Sequence, residues 1–397
     1  MIKRILEIAP RWAIASLLLF TSIHAQTDCF RPSCRSNDET DERCNRFWID
    51  ADYLYWKIQN SPECVPLVVQ NPTLEAAPPV LCSRGTCVVL GGKSVDIGWR
   101  SGGRFAFGVQ CNDRYSTEIN YFFLPNRSQQ CSVSSDGLPI LAVPYFNVVT
   151  AAEDSTPIAS PQYSIAGKAT LNVTNKVQGA EWNAMASITS RSLLLVLVGF
   201  RYWNFKEHLT FCTNSPFNPP HVPDIYTTKD EFNTKNNFFG GQIGLIYQYD
   251  YRCFSIQAKG KIALGAMLEH LAINGCLFTN DYNNFEAVVA YQGGYFALPT
   301  NIGKCGQTKF AAIPELNLNF GYQLCNWLQI RAGYNFMYAT NVLWAGTQID
   351  HNINPTQAVS YTGAIPPLLL GDASPRACLN TKGLWVQGLN VGLEFSF

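Results

Sequence analysis

The chain has 397 residues, and 29 lysines and arginines balance 29 aspartates and glutamates, so its formal net charge is zero. A chain without excess positive charge is not expected to present a basic surface that binds a phosphate backbone, so we expect no nucleic-acid partner. The sequence contains 9 Trp, 18 Tyr and 24 Phe, and only 15% of its residues are charged. This composition suits the aromatic girdles of an outer-membrane barrel.

Residues 1–25 have the features of a secretory signal peptide. Lys3, Arg4 and Arg11 precede the apolar stretch 12–20, and Ala25 supplies a small residue at the expected cleavage site. We expect cleavage after Ala25, followed by a periplasmic N-terminal segment over 26–46. No later apolar run reaches the roughly 18 residues that a spanning helix needs. The exported chain is therefore expected to be either soluble or a β-barrel.

From residue 47 to residue 397 the sequence shows about ten segments of alternating polarity. The predicted strands lie at 47–57, 97–109, 114–124, 176–188, 192–206, 236–249, 252–268, 307–323, 326–340 and 384–397. Tight turns at 110–113, 189–191, 250–251 and 324–325 alternate with long spacers at 58–96, 125–175, 207–235, 269–306 and 341–383. This pattern predicts an all-β, antiparallel transmembrane β-barrel of about ten strands, with short periplasmic turns and long external loops. A further hairpin through 138–147 would raise the count to twelve.

The alternation assigns one face of each strand to lipid and the other to the lumen. Near the end of the chain, Leu328 and Ile330 fall on one face, whereas Gln329 and Arg331 fall on the other. Charge is costly against lipid, so the polar face should line the lumen. The predicted lumen-lining residues are Asp50, Asp52, Arg100, Arg104, Glu118, Glu181, Arg201, Lys259, Lys261, Glu315, Arg331 and Glu394. Their signs balance, which allows either a salt-bridged filled core or a narrow channel with charge-tuned selectivity.

The last segment, 389–397, alternates strictly and ends in an aromatic residue, Phe397. We interpret Phe397 as the signal that the outer-membrane assembly machinery reads during insertion. The predicted location is therefore the bacterial cell outer membrane. Outer-membrane lipid and the assembly machinery are the expected partners.

The 14 cysteines divide into two sets on this topology. The periplasmic disulfide candidates are Cys29, Cys34, Cys44, Cys111, Cys253 and Cys325. The external candidates, in or beside loops, are Cys64, Cys82, Cys87, Cys131, Cys212, Cys276, Cys305 and Cys378. Exported cysteines meet an oxidising compartment, so we predict disulfides within each set, or to envelope proteins or a second copy of the chain. No bond should join the two sets, because the apolar band is about 25 Å tall and a disulfide holds its Cα atoms within roughly 7 Å.

The sequence contains few motifs that indicate metal binding, phosphate binding or catalysis. The histidines have no zinc spacing to one another or to cysteine, and no Gly-rich phosphate loop or calcium loop is present. His208 and His270 fall near predicted strand ends, where a lone histidine is more often a solvated polar residue than a catalytic one. We expect no metal, no cofactor and no enzymatic activity.

Five stretches resemble a known family: WIDADYLYWKIQNSPECVPLVV, SGGRFAFG, INYFFLPNRSQQCSVSSDG, LPILAVPYFN and LVGFRYWNFKEHLTF. They are similar to the beta barrel porin seven family of bacterial outer-membrane proteins, most closely over residues 47–211, although the many cysteines depart from the family pattern. The resemblance implies an outer-membrane barrel over 47–397 and a porin role for small solutes, and it carries no catalytic or binding residues.

The alternative function is a disulfide-stabilised structural or surface adhesion protein of the cell envelope, with a filled lumen. Its contact surface would lie in the long spacers 125–175 and 341–383. The second of these spacers contains the apolar run 365–370, which needs a partner or a fold-back.

Overall fold

The computed structural model describes residues 47–62, 64–72, 79–188, 193–217, 225–280 and 287–397. The predicted signal peptide over 1–25, the segment 26–46 and the cysteines Cys29, Cys34 and Cys44 lie outside these residues.

The described part of the chain is almost entirely β-structure. Its strands, in chain order, are β1 Phe47–Ile58, β2 Pro66–Asn71, β3 Cys87–Gly91, β4 Trp99–Gln110, β5 Tyr115–Ser135, β6 Ile140–Asn147, β7 Ala152–Ala159, β8 Gly167–Ser187, β9 Leu194–Asn214, β10 Tyr226–Tyr251, β11 Phe254–Asn280, β12 Val288–Gln292, β13 Gly303–Cys325, β14 Leu328–Leu343, β15 Asn352–Ile353 and β16 Thr381–Ser396. A short helix, α1, spans Val359–Thr362. Among these residues, no helix is long and apolar enough to cross a membrane.

Ten of the strands form a closed antiparallel barrel. Around the wall they follow the order β1, β4, β5, β8, β9, β10, β11, β13, β14 and β16. Pairing of β16 with β1 closes the ring, and the backbone N–H of Phe397 donates to the carbonyl of Phe47 at 2.8 Å beside this seam. The prediction of an all-β barrel with ten strands is confirmed. The role of Phe397 as an assembly signal stays a prediction.

One end of the barrel has tight connections. Residues 111–114 join β4 to β5, and residues 252–253 join β10 to β11. Toward this end the outward face is apolar: Phe320 is 61% exposed and Ile243 is 59% exposed. An apolar outward face around a closed sheet is typical of a barrel that contacts lipid. We call the two ends of the barrel the short-turn end and the cap end.

Five strands, β5, β8, β9, β10 and β11, run much farther toward the cap end than the sequence predicted, and β13 begins at Gly303 instead of residue 307. β5, β8, β9, β10, β11 and β13 have 21, 21, 21, 26, 27 and 23 residues, whereas a tilted strand crosses a bilayer in about 9–11 residues. Treating the adjoining parts of 125–175, 207–235 and 269–306 as loops was therefore wrong. These strand extensions form a tall wall on one side of the barrel.

The error has a physical cause, which β9 shows. In its short-turn half the outward Phe200 is exposed and the inward Arg201 is buried. In its cap half Leu209 and Phe211 are buried, and the intervening Thr210 is the more accessible residue. The apolar residues thus change from the outward to the inward face within one strand. A search for constant alternation reads that phase change as the end of the strand.

A second sheet forms the cap, which closes the space inside the tall wall. β2 pairs with β3 and with the first residues of β6, β15 pairs with the last residues of β6, and β7 pairs along the other edge of β6. The hairpin considered through 138–147 does form a strand, β6, but this strand joins the cap sheet, so the barrel count stays at ten. Cap residues such as Leu67 and Leu141 pack in one apolar cluster with Leu171, Phe211 and Phe232 of the wall. The inward apolar face of the wall is therefore buried by the cap.

Candidate functional site

A layer of ion pairs crosses the barrel interior in its short-turn half. The Arg201 guanidinium lies 2.6 Å from Glu181, and the Lys261 ammonium also lies 2.6 Å from Glu181. Both cations also contact Glu315, which is the cross-strand neighbour of Lys261 and accepts a hydrogen bond from Asn335 at 2.8 Å. These four charged side chains come from four strands, β8, β9, β11 and β13. They form one buried network across the barrel.

A second group lies at the seam between the first and last strands. Arg331 approaches Asp50 and Glu394 at 3.0 Å each and Asp52 at 3.5 Å. Gly392 makes room for the Asp52 carboxylate, because a Cβ built on Gly392 would lie 2.0 Å from Oδ1 of Asp52. One guanidinium thus forms ion pairs with three carboxylates.

The remaining predicted lumen residues are also buried or half-buried, but they are not all in one place. Lys259 lies 3.6 Å from Glu118, and Arg104 lies 3.9 Å from Glu315 with its guanidinium over the Trp56 ring. Arg100 is separate: it is buried farther toward the cap end and donates to the backbone carbonyl of Asn175 at 3.2 Å. All twelve predicted lumen residues therefore lie inside the barrel, and eleven of them form ion pairs with one another.

Above the ion pairs lies an apolar layer that the sequence reasoning missed. Nine of the ten barrel strands contribute side chains to this one cluster. Its largest fully buried members are Trp56, Trp203, Phe205, Phe238 and Trp344. Rings of Phe205 and Trp344 meet edge to face with centroids 4.9 Å apart. The sequence of β9 already indicates this layer, because its inward positions are Arg201, Trp203 and Phe205. It was missed because a uniformly polar lumen was expected.

The segment 343–345 leaves β14 and enters the interior beside this layer. Asn236 of β10 binds it twice: its Nδ2 donates to the Leu343 carbonyl at 2.9 Å, and its Oδ1 accepts from the Leu343 N–H at 2.8 Å. Glu207 of β9 accepts a hydrogen bond from the Ala345 N–H at 2.8 Å. Side chains of two other strands therefore hold the segment in place, with the Trp344 ring in the apolar layer.

Asp230 fixes a second segment under the cap. Its carboxylate accepts hydrogen bonds from the backbone N–H groups of Tyr295, Phe296 and Ala297 at 3.1, 3.0 and 2.6 Å. A Cβ on Gly294 would come within 2.3 Å of this carboxylate, so the backbone can wrap around it only because residue 294 is glycine. The site lies far above the lipid-facing band, and burial raises the pKa of Asp230 to about 6 although the three N–H donors act to lower it.

The cap end also carries exposed apolar side chains. In the run 365–370, Leu368 is 70% exposed and Leu370 is 57% exposed. The run was predicted to need either a partner or a fold-back onto the protein. The described residues do not cover these side chains, so a partner stays a prediction.

Of the predicted periplasmic set, Cys111, Cys253 and Cys325 lie at the short-turn end, and four cysteines of the external set need a correction. Cys131, Cys212, Cys276 and Cys305 belong to strands of the tall wall rather than to loops, because those strands extend farther than predicted. Free thiols are found at Cys82, Cys87, Cys111, Cys131, Cys212, Cys276, Cys305, Cys325 and Cys378. The disulfides stay a prediction. Burial raises the thiol pKa of Cys212, Cys276, Cys305 and Cys378, which disfavours the reactive thiolate.

Two histidines of the described residues, His208 and His351, have ordinary polar partners. His208 contacts Asn233 and Thr210, and His351 lies 3.2 Å from Glu153. Within the described ranges, no group of three or more His, Cys, Asp or Glu residues is arranged to hold a metal ion.

Three solved structures show some similarity to this chain. The outer membrane protease OmpT of Escherichia coli is 11% identical, with a TM-score of 0.41 over 89% of this chain and 97% of that chain. The CymD monoaromatic hydrocarbon channel is 7% identical, with a TM-score of 0.19 over 89% of both chains. The toluene transporter TodX of P. putida is 7% identical, with a TM-score of 0.15 over 89% of this chain and 90% of that one. Similarities this low support no inference about activity or transport.

The comparison of sequences identifies a family. No curated protein matches the chain. The family described as "Putative beta barrel porin-7" matches residues 48–397, a range that contains nearly all of the ten-stranded barrel and the whole cap. The resemblance seen in the sequence is therefore confirmed, and the chain belongs to the putative beta barrel porin-7 family.

Proposed function

We propose that this protein is a bacterial outer-membrane barrel with a closed lumen, and that the cap it holds above the membrane is its surface for interaction in the cell envelope. The apolar layer is the observation that carries the proposal. Trp56, Trp203 and Trp344 have no solvent-exposed surface, although their side chains point into the barrel. A continuous aqueous path along this layer would wet some of these rings. The ion pairs below it then act as a filled polar core.

The family and the lipid-facing surface support the outer-membrane location. Exposed apolar side chains such as Phe254 and Leu389 surround the short-turn half, as lipid contact requires. The exposed Leu368 and Leu370 at the cap end support a contact role for the cap, because exposing such apolar side chains to water is unfavourable. The proposal includes no catalytic step.

A porin role is the second candidate, and the family description favours it. In this case the segment 343–345 would have to leave the interior and take the Trp344 ring with it. The three hydrogen bonds that join its backbone to the side chains of Asn236 and Glu207 would have to break. The layer below would then offer Lys259 and Arg331, whose side chains are 16% and 12% exposed, to passing ions.

Conductance of the purified, refolded protein in a planar lipid bilayer separates the two candidates. The closed lumen predicts no steady current steps for the natural protein. Trp203→Ala removes a fully buried ring and should lower stability by about 3–5 kcal/mol. The matched control is Trp182→Ala, because Trp182 is a lipid-facing residue that is 55% exposed, and its loss should have little effect on the interior. Steady steps from the natural protein would contradict the closed lumen and favour the porin role.

A further inference from the structure

A row of positive charges crosses the outer surface of the tall wall. Cross-strand pairing places Lys176 of β8 opposite Lys206 of β9, Lys206 opposite Lys235 of β10, and Lys235 opposite His270 of β11. Lys304 of β13 lies beside the row, paired with Ala272. The strands are about 4.8 Å apart, so the row is a compact stripe about 15 Å wide.

No carboxylate of the described residues neutralises this stripe. None of its four lysines forms a salt bridge there, and Lys206, Lys235 and Lys304 are exposed. Glu231, four residues farther from the short-turn end on β10, is already 2.5 Å from Lys229. Like charges directly opposite each other destabilise a sheet. An external anion would remove that repulsion.

The height of the stripe above the lipid-facing band indicates which anion. Tyr202 and Phe239 lie four residues from Lys206 and Lys235 toward the band, and Phe310 lies at the same level as Phe239. These outward aromatic rings mark the membrane interface. Four residues at about 3.3 Å each, on strands tilted by about 40°, place the lysines about 10 Å above that ring. This is the level of lipid headgroups.

The stripe also lines a groove of about 740 Å³. Asn126, Thr174, His208 and Asn233 add polar side chains to its surface. We propose that this groove binds the phosphate-bearing headgroup of an anionic glycolipid of the outer leaflet, with the lysine stems lying along the wall and their ammonium groups on the phosphates. The inference rests on the outer-membrane location in the proposed function. It adds a lipid as a specific ligand of the barrel wall.

The test is binding to the purified, delipidated barrel in zwitterionic detergent, with lipid A, dephosphorylated lipid A and inorganic phosphate as separate probes. The natural protein should bind lipid A and should bind the dephosphorylated form and free phosphate far more weakly. Combining Lys176→Gln, Lys206→Gln and Lys235→Gln should weaken lipid A binding by more than about tenfold, since each lysine near an anionic lipid surface contributes roughly fivefold. The matched control is Lys229→Gln, an outward lysine of β10 beyond the groove, which should bind as the natural protein does.

Three outcomes would overturn the inference. Lipid A binding by the triple variant equal to that of the natural protein would remove the lysines from the site. Equal binding of inorganic phosphate would indicate a site for a soluble anion, and equal binding of dephosphorylated lipid A would indicate acyl-chain contact alone. A shift between unheated and boiled samples on a detergent gel verifies that each variant is folded. Conductance by the natural protein would overturn the closed lumen but would leave this result unaffected, so the two proposals fail separately.

Discussion

Replacing Asp230 by alanine should release the segment that its carboxylate holds under the cap. Asp230 is fully buried and accepts three backbone hydrogen bonds from residues 295–297. A buried donor left without an acceptor costs about 1–3 kcal/mol, so three such groups should lower the free energy of local opening by roughly 3 kcal/mol or more. Hydrogen exchange measured by mass spectrometry on peptides covering 293–298 should then be at least about a hundredfold faster.

The same carboxyl group predicts a pH dependence. Its pKa in the folded protein is about 6, raised from 3.8, so the folded state binds this proton more readily than the opened state. The contribution of Asp230 to stability is therefore greatest below about pH 4, is lost as pH rises toward about 6, and is constant above that. One pKa unit corresponds to about 1.4 kcal/mol, which gives a total of about 3 kcal/mol. Asp230→Asn, which cannot ionise, should abolish this slope.

The matched control for both measurements is Glu231→Ala. It removes the same charge from the neighbouring position of β10, but its side chain faces outward and pairs with Lys229. Exchange at residues 295–297 should not change in this variant. If Asp230→Ala leaves these three amides as protected as in the natural protein, the carboxylate does not hold the segment and the reasoning is refuted.

Three further predictions concern the interior and the cysteines. Glu315→Gln leaves two buried cations with one carboxylate fewer and should cost about 3–5 kcal/mol in urea unfolding; a loss below about 1 kcal/mol would contradict the network. Gly392→Ala should cost about 1–3 kcal/mol by crowding a carboxylate, whereas the control Gly260→Ala, where an added Cβ meets nothing within 4 Å, should be nearly neutral. Disulfide mapping by mass spectrometry should find no bond between the two cysteine sets, and a Cys111–Cys131 link would show the sets to be wrong.

The closed barrel could be predicted from the sequence because one physical rule governs it. A strand between lipid and a polar interior must alternate, as Leu389, Val391 and Leu393 do against Asn390 and Gly392. Tight turns of two to four residues then fix which strands are neighbours. Ten such segments gave the strand number without any knowledge of tertiary contacts.

The partners of the interior charges could not be predicted in the same way. Glu181 and Arg201 are directly opposite on neighbouring strands, so their pairing is local. Arg201 and Glu315 belong to strands on different sides of the ring and meet only because the barrel is narrow. Such contacts across the interior depend on the diameter and stagger of the barrel, which alternation does not reveal.

The tall wall and the cap depend on each other. Where a strand faces lipid, its outward side is apolar and its inward side can be polar. Where the same strand rises into water, the outward side becomes polar, as Lys206 and Lys235 show, and the apolar residues move inside.

A wall with an apolar inner face and no filling would expose Leu209, Phe211 and Phe232 to water. The cap sheet covers these residues, and its own Leu67 and Leu141 gain the same burial. Each fully buried side chain of this kind stabilises the assembly by about 1.5–3 kcal/mol. The phase change along β8–β11 therefore calls for a folded cap inside the barrel mouth, and this filling supports the closed lumen that we propose.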